Sequence, residues 1–473
     1  MVKSGMVNAA IVLAIMTSTI TTQNHHARPS IGRRLFEKPT LWQDWDAEAP
    51  EGAARYWELF TDLLMVAAAS SIADTLKENR TAAGIREFIV LYFIVTSGWL
   101  LYTHHFTTRF EESSLSHSII LFFFLVGMAI QIVNAGLATA AAFSLGVVLQ
   151  RSALSVMLIT VAYCIPRARE MVQFLLLHSS VVVLVMLLTV WRSDWALWTW
   201  TVVAVWDFFL EEMISSLLPG RKLVPINIEH TMDRLGALVL VMLGETVISA
   251  TMTYREYAAD ATIDESRQFY VLLALAFLLI FMFTLLYFNV QPPARDHAFR
   301  RTRLAGTMSF VLNKTLGLTL LFVGVSIKLA VHEVAHPGDE ENAPIFTVTL
   351  LGAAVGCSLV LILGMRLCHY AGVYPRPSDP EEVQRLMWIW WIGLGLLSLM
   401  PFGCMNIQLT SVKALGLYSG LITFICIAET CVTHILEEYL PRTEEHERLH
   451  REVDDDEISN YMSVMDQGSF NYH

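Results

Sequence analysis

The chain has 473 residues, of which 54% are hydrophobic and only 16% are charged, and its mean hydropathy is +0.49. Because soluble proteins carry about 25% charged residues, this composition excludes a soluble globular chain and predicts a multi-pass membrane protein. Much of the acid behind the net charge of −12 lies in the C-terminal segment and in the loop Asp339-Glu-Glu341. No basic stripe with interleaved aromatic residues is present, so no nucleic-acid partner is expected.

Residues 1–50 are predicted to be a leader and an amphipathic approach segment that starts near Leu41. Residues 1–22 contain the apolar run Ala9–Met16, which is too short to cross a bilayer. A signal peptide, an organelle transit sequence and a disordered leader all stay open for this segment. The plasma membrane and an internal membrane therefore both remain possible locations.

Residues 51–438 are predicted to form one all-α domain, a polytopic bundle of about twelve transmembrane helices, because many apolar stretches reach the roughly 20 residues that cross hydrocarbon. The predicted spans are 56–77, 86–106, 116–137, 139–163, 168–190, 195–217, 230–253, 268–290, 304–330, 345–368, 386–403 and 411–435. The division of 116–163 into two spans depends on Asn134-Ala-Gly136. Residues 439–473 are predicted to be an acidic, disordered cytoplasmic tail.

The charges of the loops predict the orientation. With a cytoplasmic N-terminus, twenty Lys and Arg residues fall in inside segments and eight in outside segments. Since basic residues concentrate on the cytoplasmic side, both termini are predicted to be cytoplasmic. His104-His105 and the Trp-rich segment 191–206 are predicted to anchor the helices at the membrane interface.

The first span carries two carboxylates, Glu58 and Asp62, in an otherwise apolar segment. They lie about 6 Å apart along one helix face. An ionised acid inside a membrane helix costs on the order of 3 kcal/mol, so each requires a partner, a water-filled cavity or a proton. This pair is the strongest functional signal in the sequence.

The seventh span carries His230, Arg234 and Glu245, which fall within roughly 60° of one another on a helix and so form one stripe. Arg234 and Glu245 are about 16 Å apart along the axis and cannot pair with each other. The first and seventh spans run parallel, and Arg234 has a similar depth to the acids of the first span. Arg234 is therefore predicted to pair with Glu58 or Asp62, with the bidentate geometry that buried Arg–carboxylate pairs favour.

Other charged residues have comparable depths: Arg151, Lys314 and Asp207 lie near mid-membrane, and Glu211 and Glu429 lie toward the inner side. Two interpretations stay open for these charges. They either form ion pairs that fix helix packing, or they line a cavity or path for a solute, ion or proton. The excess of acids over bases at this depth favours the second interpretation.

The segment His332–His336 matches the HExxH zinc pattern, but Pro337 ends the helix directly after it. A chance match is favoured over a zinc site. The six cysteines fall in or beside apolar segments, which predicts neither a disulfide framework nor a paired-cysteine metal site. No P-loop, dinucleotide fingerprint or nucleophile elbow is present, so no cofactor is predicted.

At these residues the chain resembles the low-temperature-requirement A family of polytopic membrane proteins, over roughly residues 50–370. The family's opening signature, E-L-F-x-D-L-V-x-V-x-A, is matched by the run from Glu58 to Ala68. Its second signature, H-x-x-x-R-x-G followed by L-G-E-[ST], is matched by His230, Arg234, Gly236, Leu243, Gly244, Glu245 and Thr246. Gly98–Tyr102 is similar to the family's second span.

The resemblance implies a membrane protein linked to growth in the cold and does not settle a molecular activity. The chain departs from the family pattern twice. It has Tyr287-Phe288-Asn289 where the family often has an aspartate after Tyr-Phe, and it lacks the family's ninth-span histidine near Leu312-Asn313. A proton path through those groups would be altered here. The family's histidine-proline-acid loop also accounts for His336-Pro-Gly-Asp339.

The sequence predicts a channel or carrier for a small solute or ion, with proton coupling through intramembrane carboxylates such as Glu245 and Asp62. The predicted pathway residues are Glu58, Asp62, His230, Arg234, Glu245, Asp207 and Arg151. A membrane receptor or scaffold with purely structural charges is the alternative, and a membrane-embedded enzyme centred on His230 is less favoured. The expected partners are the lipid bilayer and a small solute or ion, and a homo-oligomer stays open.

Overall fold

The computed structural model describes residues 38–41, 56–111, 114–218, 223–224, 226–257, 263–292, 297–335, 343–369, 381–405, 407 and 409–439. The predicted leader at 1–22 and nearly all of the predicted acidic tail lie outside these residues. The amphipathic approach segment is described only at its start, where a short strand, β1 (Thr40–Leu41), pairs antiparallel with β2 (Phe110–Glu111).

The rest of the described chain is helical, which confirms the predicted all-α membrane bundle. In chain order the helices are α1 (Tyr56–Glu78), α2 (Ala82–Thr103), α3 (Leu115–Val133), α4 (Ala140–Cys164), α5 (Arg169–Trp191), α6 (Ala196–Phe208), α7 (Leu210–Leu217), α8 (Ile228–Tyr257), α9 (Ile263–Val290), α10 (Ala298–Arg301), α11 (Arg303–Ala335), α12 (Ala343–Cys368), α13 (Glu381–Cys404) and α14 (Ser411–Tyr439).

Eleven of the described helices are long and apolar enough to cross a membrane. The predicted division of 116–163 is confirmed, because α3 ends at Val133 and α4 begins at Ala140. Between them Gly136 has a φ of 157°, a backbone region that favours glycine. The Glu87 side chain of α2 accepts the backbone N–H of Leu137 at 2.9 Å, which satisfies a donor at this turn.

The predicted span 195–217 is present but broken. It forms α6 and α7, which meet at Phe209, a residue with φ −88° and ψ 9°. The N–H of Phe209 still donates to the carbonyl oxygen of Val205 at 3.3 Å, and its carbonyl oxygen accepts the N–H of Met213 at 2.9 Å. Neither piece alone has the roughly 20 residues that a continuous span requires. A twelfth crossing would be made by these two helices together.

The direction of the helices supports this count. Glu58 contacts His230, and Asp62, four residues further on, contacts Arg234, so α1 and α8 run parallel. Parallel helices need an odd number of crossings between them. These crossings are the continuous helices α2, α3, α4 and α5 and the broken pair α6–α7. The described helices then make twelve crossings, which places the two ends of the bundle on the same side of the membrane.

The centre of the bundle is formed by α2 and α11, the two helices with the largest buried share. They pack through aromatic side chains such as Phe88 and Phe322, whose ring centroids are 4.4 Å apart. Outer helices such as α3 expose large apolar side chains, for example Phe122 and Ile119. Because no water is available to these faces inside hydrocarbon, their apolar surface is the one that contacts lipid.

Candidate functional site

Four charged or titratable side chains of α1 and α8 form a buried group, the paired-acid cluster, made of Glu58, Asp62, His230 and Arg234. The Nε2 atom of His230 lies 3.2 Å from Oε1 of Glu58 and 3.3 Å from Oγ1 of Thr107. Glu58 has a side-chain exposure of 2%. A carboxylate so far from solvent is stabilised only by the donors that surround it.

Arg234 lies between the two acids. Its Nη1 is 3.1 Å from Oδ2 of Asp62 and 3.7 Å from Oε2 of Glu58. The indole Nε1 of Trp99 on α2 donates to the other oxygen of Asp62 at 3.2 Å. Arg234 thus contacts both of the acids that the sequence predicts as its alternative partners. One nitrogen bridges the two carboxylates, which differs from the bidentate fork expected from the sequence.

A second buried group, the helix-break cluster, surrounds the junction of α6 and α7 and contains Arg151, His178, Asp207 and Lys314. Nη2 of Arg151 on α4 lies 2.5 Å from Oδ2 of Asp207, and both side chains have 0% exposure. Nε2 of His178 on α5 is 3.6 Å from Oδ1 of the same carboxylate. The cluster therefore joins α4, α5 and α6 through one acid.

Lys314 reaches the same junction from α11. Its Nζ donates to the carbonyl oxygen of Phe208 at 2.9 Å and lies 3.5 Å from that of Asp207. The last carbonyls of a helix lack intrahelical donors and carry partial negative charge, so an ammonium group is stabilised there. Lys314 compensates the helix break.

The two clusters lie on different faces of α2 and the turn that follows it. Trp99 and Thr107 contact the paired-acid cluster. Ser97 and His105 line a small cavity beside the helix-break cluster. Ser97 and Trp99 are two residues apart on α2, so their side chains point about 200° apart and face opposite ways. The α2 helix is the wall that the two clusters share.

The cavity beside Asp207 and Lys314 has a volume of about 10 Å³, which suits about one water molecule. Two polar oxygens of its lining, Oγ of Ser97 and Oδ1 of Asp207, are buried and have no hydrogen-bond partner within the described residues. Buried polar atoms in native proteins are almost always paired with protein or water. The cavity is therefore a polar site sized for a very small occupant.

Glu245 of α8 is 1% exposed. A side chain added at the neighbouring Gly244 would meet nothing within 4 Å among the described residues, so no close helix contact is seen at this glycine. The close approach occurs at Gly324 of α11, where an added Cβ would lie 2.5 Å from Oγ1 of Thr246. Absence of a side chain at Gly324 lets α11 pack tightly against α8.

The expected interfacial role of His104 and His105 is wrong. Both are buried, because the chain turns after α2 and folds under the start of α11, where the ring centroid of His104 lies 4.4 Å from that of Phe310. Trp191 and Trp195, by contrast, are exposed at the far end of the bundle, where interfacial anchoring is expected.

Several contacts were not predicted. Lys328 of α11 pairs with Asp74 of α1 at 2.5 Å, and Arg366 of α12 pairs with Glu429 of α14. The contacts of Trp99, Thr107 and His178 were also missed. Nothing in the local sequence distinguishes these side chains from ordinary core residues, since their role depends on which helices become neighbours.

The HExxH segment gains no support as a metal site. His332 lies in the last turn of α11, and His336 lies outside the described residues. Within the described part of the chain, no group of three or more His, Cys, Asp or Glu side chains is placed to hold a metal ion.

A histidine pair outside the spanning segments closes one end of the bundle. The backbone N–H of Ala298 donates to Nδ1 of His369 at 3.2 Å, and that of Phe299 donates to Nδ1 of His297 at 3.3 Å. Burial, together with the neighbouring His369, lowers the pKa of His297 to about 3, and burial lowers the pKa of His369 to about 4. Both imidazoles are held neutral as acceptors for α10.

We expect this pair to make the protein less stable as the pH falls below about 6.5. In the unfolded chain both imidazoles take up protons near pH 6.5, whereas in the folded protein they do so only near pH 4 and pH 3. The unfolded state then binds more protons, and stability falls by about 1.4 kcal/mol per pH unit for each histidine. Melting temperatures between pH 7.5 and pH 5 measure this loss.

The matched control is the double variant His297→Asn with His369→Asn, whose amide oxygens accept hydrogen bonds but do not titrate. All other titrating groups are unchanged, so the difference between the two pH profiles isolates the pair. A double variant with the wild-type slope would contradict the assignment.

The fold and these clusters define a class of protein: a polytopic α-helical membrane protein whose described helices enclose buried charged clusters. The family model of the bacterial low temperature requirement A protein (LtrA) matches residues 53–426, and the chain belongs to this family. The match extends past α12 into α13 and most of α14. No curated protein matches the chain.

The departure near Leu312-Asn313 lies in a buried contact between α11 and α9, whereas Asn289, the other departure, is exposed. Tyr287 of α9 donates its hydroxyl to Oδ1 of Asn313 on α11 at 2.9 Å, and both side chains are buried. Asn313 also donates its amide to the backbone oxygen of Ser309 at 2.8 Å. A neutral hydrogen-bonded pair therefore occupies the place where a titratable histidine was expected from the resemblance.

Proposed function

We propose that the protein is a channel or carrier that moves a small solute or ion across the membrane, with protons coupled through Glu245 and Asp62. The observation that carries the proposal is the break between α6 and α7 at the helix-break cluster. Within hydrocarbon, non-helical backbone is tolerated only where protein or water satisfies it. In membrane transporters such broken helices form the sites for substrates and coupling ions near the bilayer midplane.

Unsatisfied donors at the same cluster support the proposal. Nε and Nη1 of Arg151 are buried and have no hydrogen-bond partner among the described residues, although Nη2 pairs with Asp207. A purely structural ion pair is expected to satisfy its guanidinium fully, because unpaired buried donors are costly. Open donors suit a site that exchanges a small polar ligand.

The paired-acid cluster supports a route from this site toward the end at which α1 begins. His230 contacts an acid and a hydroxyl at once, an arrangement in which an imidazole can pass a proton between neighbours. With both termini cytoplasmic, as the loop charges indicate, this end is the cytoplasmic one. Glu58, Asp62, His230 and Arg234 would then form the inner part of the pathway.

The test is flux through the purified protein in proteoliposomes that contain a pH-sensitive dye, measured with a panel of ions and small solutes. Glu245→Gln is expected to abolish proton-coupled flux, because the amide cannot bind and release a proton. Glu229→Gln is the matched control, since Glu229 is an exposed acid on the same helix, α8. It is expected to leave flux unchanged.

Unchanged flux in a folded Glu245→Gln variant would remove Glu245 from the mechanism. Absence of flux for every solute would favour the scaffold alternative, in which the charges fix packing and the acidic tail recruits partners. Deletion of residues 440–473 then separates the classes. If the deletion variant folds normally but no longer supports the cellular function, the protein is a scaffold.

A further inference from the structure

The junction of α6 and α7 has the features of a cation site. The carbonyl oxygens of Asp207 and Phe208 lie at the C-terminal end of a half-helix, where the helix dipole is negative. They lie within the bundle, between α4, α5 and α11. A positive charge is the natural complement of such oxygens in a site without bulk water.

The group that occupies this place is the ammonium of Lys314. Besides its contacts of 2.9 Å and 3.5 Å to the two carbonyl oxygens, Nζ lies 4.7 Å from the ring centroid of Phe208 and 5.8 Å from that of Phe310. Carbonyl oxygens and aromatic faces are also the ligands that attract small monovalent cations. The side chain thus makes the contacts that a bound ion would make.

The adjoining cavity supplies further oxygens. Oδ1 of Asp207 and Oγ of Ser97 line it, are buried, and have no hydrogen-bond partner within the described residues. Ser97 and Asp207 thus bring oxygens to a cavity that Lys314 also lines. Oδ1 of Asp207 lies 3.6 Å from Nε2 of His178, so Oγ of Ser97 is the buried oxygen that indicates a ligand site more directly than the helix end alone does.

We propose that the break between α6 and α7 is a monovalent-cation site whose place is filled by the ammonium group of Lys314. The ion that this site binds is then the proton, held as –NH3+ on Lys314. Loading follows –NH2 + H3O+ → –NH3+ + H2O, with the cavity holding the water. This inference deepens the proposed function, and the role of the site in transport rests on that function. The coupling ion is then the proton and neither Na+ nor K+.

The test removes the tethered ammonium and asks whether an inorganic cation replaces it. Wild type, Lys314→Ala and Lys314→Met are purified in nanodiscs, and melting temperatures are compared in NaCl, KCl and choline chloride at equal concentration. We expect the Ala variant to melt below wild type in choline chloride and to rise by several degrees in NaCl or KCl, because a ligand that binds only the folded state stabilises it. The Met side chain fills the space, so that variant is expected to show no ion-specific shift.

A folded Ala variant without an ion-specific shift overturns the proposal, and so does an equal shift in the Met variant. Wild type provides a test that does not depend on either variant folding. It is expected to melt at the same temperature in all three salts, and stabilisation by Na+ or K+ would mean that the ammonium does not fill the site. The melting measurement does not depend on flux. If the Ala variant is stabilised by Na+ or K+ but wild type shows no proton-coupled flux, the cation site stands and only the transport function is contradicted.

Discussion

Arg151→Ala is expected to lower the free energy of unfolding by about 3–5 kcal/mol, because it leaves the Asp207 carboxylate uncompensated in a site without solvent. Nη2 of Arg151 and Oδ2 of Asp207 are 2.5 Å apart, and both side chains have 0% exposure. The next cation, Lys314, is engaged with backbone carbonyls. Arg151 is also among the largest fully buried side chains, so its removal leaves a void. Unfolding in mixed detergent micelles measures the loss.

Two controls define this result. The double variant Arg151→Met with Asp207→Asn removes both charges, and it is expected to recover most of the lost stability. Asp74→Asn breaks the pair with Lys328 at its exposed partner, since Asp74 is 51% exposed, and is expected to cost less than about 1 kcal/mol. Equal losses for Arg151→Ala and Asp74→Asn would contradict the importance of burial at the helix-break cluster.

Arg234→Ala is expected to cost a similar amount, on the order of 3–5 kcal/mol, for a different reason. A single guanidinium nitrogen lies 3.1 Å from Asp62 and 3.7 Å from Glu58, so its loss leaves two neighbouring carboxylates facing each other. Within the described part of the chain, His230 and Thr107 on Glu58 and Trp99 on Asp62 are the contacts known to remain. Like charges at this distance in a low-dielectric site repel strongly.

Double-mutant cycles assign the partner. Coupling of Arg234→Ala with Asp62→Asn is expected to exceed coupling with Glu58→Gln, because the Asp62 contact is the shorter one. The charge exchange Arg234→Asp with Asp62→Arg is expected to restore part of the folding. No rescue with either acid would show that Arg234 stabilises the fold by another route.

The paired-acid cluster was predictable because helix geometry is regular. Glu58 and Asp62 are separated by four residues, as are His230 and Arg234, so two parallel helices bring the pairs together in register. The α3–α4 division was predictable from Gly136 for a similar local reason. That these residues form a transport pathway remains a prediction, since the contacts alone fit structural ion pairs too.

The helix-break cluster was only partly predictable. Hydropathy placed Arg151, Asp207 and Lys314 near mid-membrane, but depth does not determine which helices are neighbours, so the pairing was open. The break at Phe209 had no local signal, because the segment from Trp206 to Ser216 contains neither proline nor glycine. Lys314, which contacts the carbonyl oxygens at this junction, comes from a helix more than a hundred residues away in the chain.

Because α2 contacts both the paired-acid cluster and the helix-break cluster, a movement of this helix is expected to affect both. Trp99 donates to the Asp62 carboxylate on one side, while Ser97, two residues earlier, faces the cavity at Asp207 on the other. Any rotation or tilt of this rod that loosens one contact must also displace the opposite one. Ligand binding on one face would therefore alter affinity on the other, and thermodynamic linkage requires the effect to be equal in both directions.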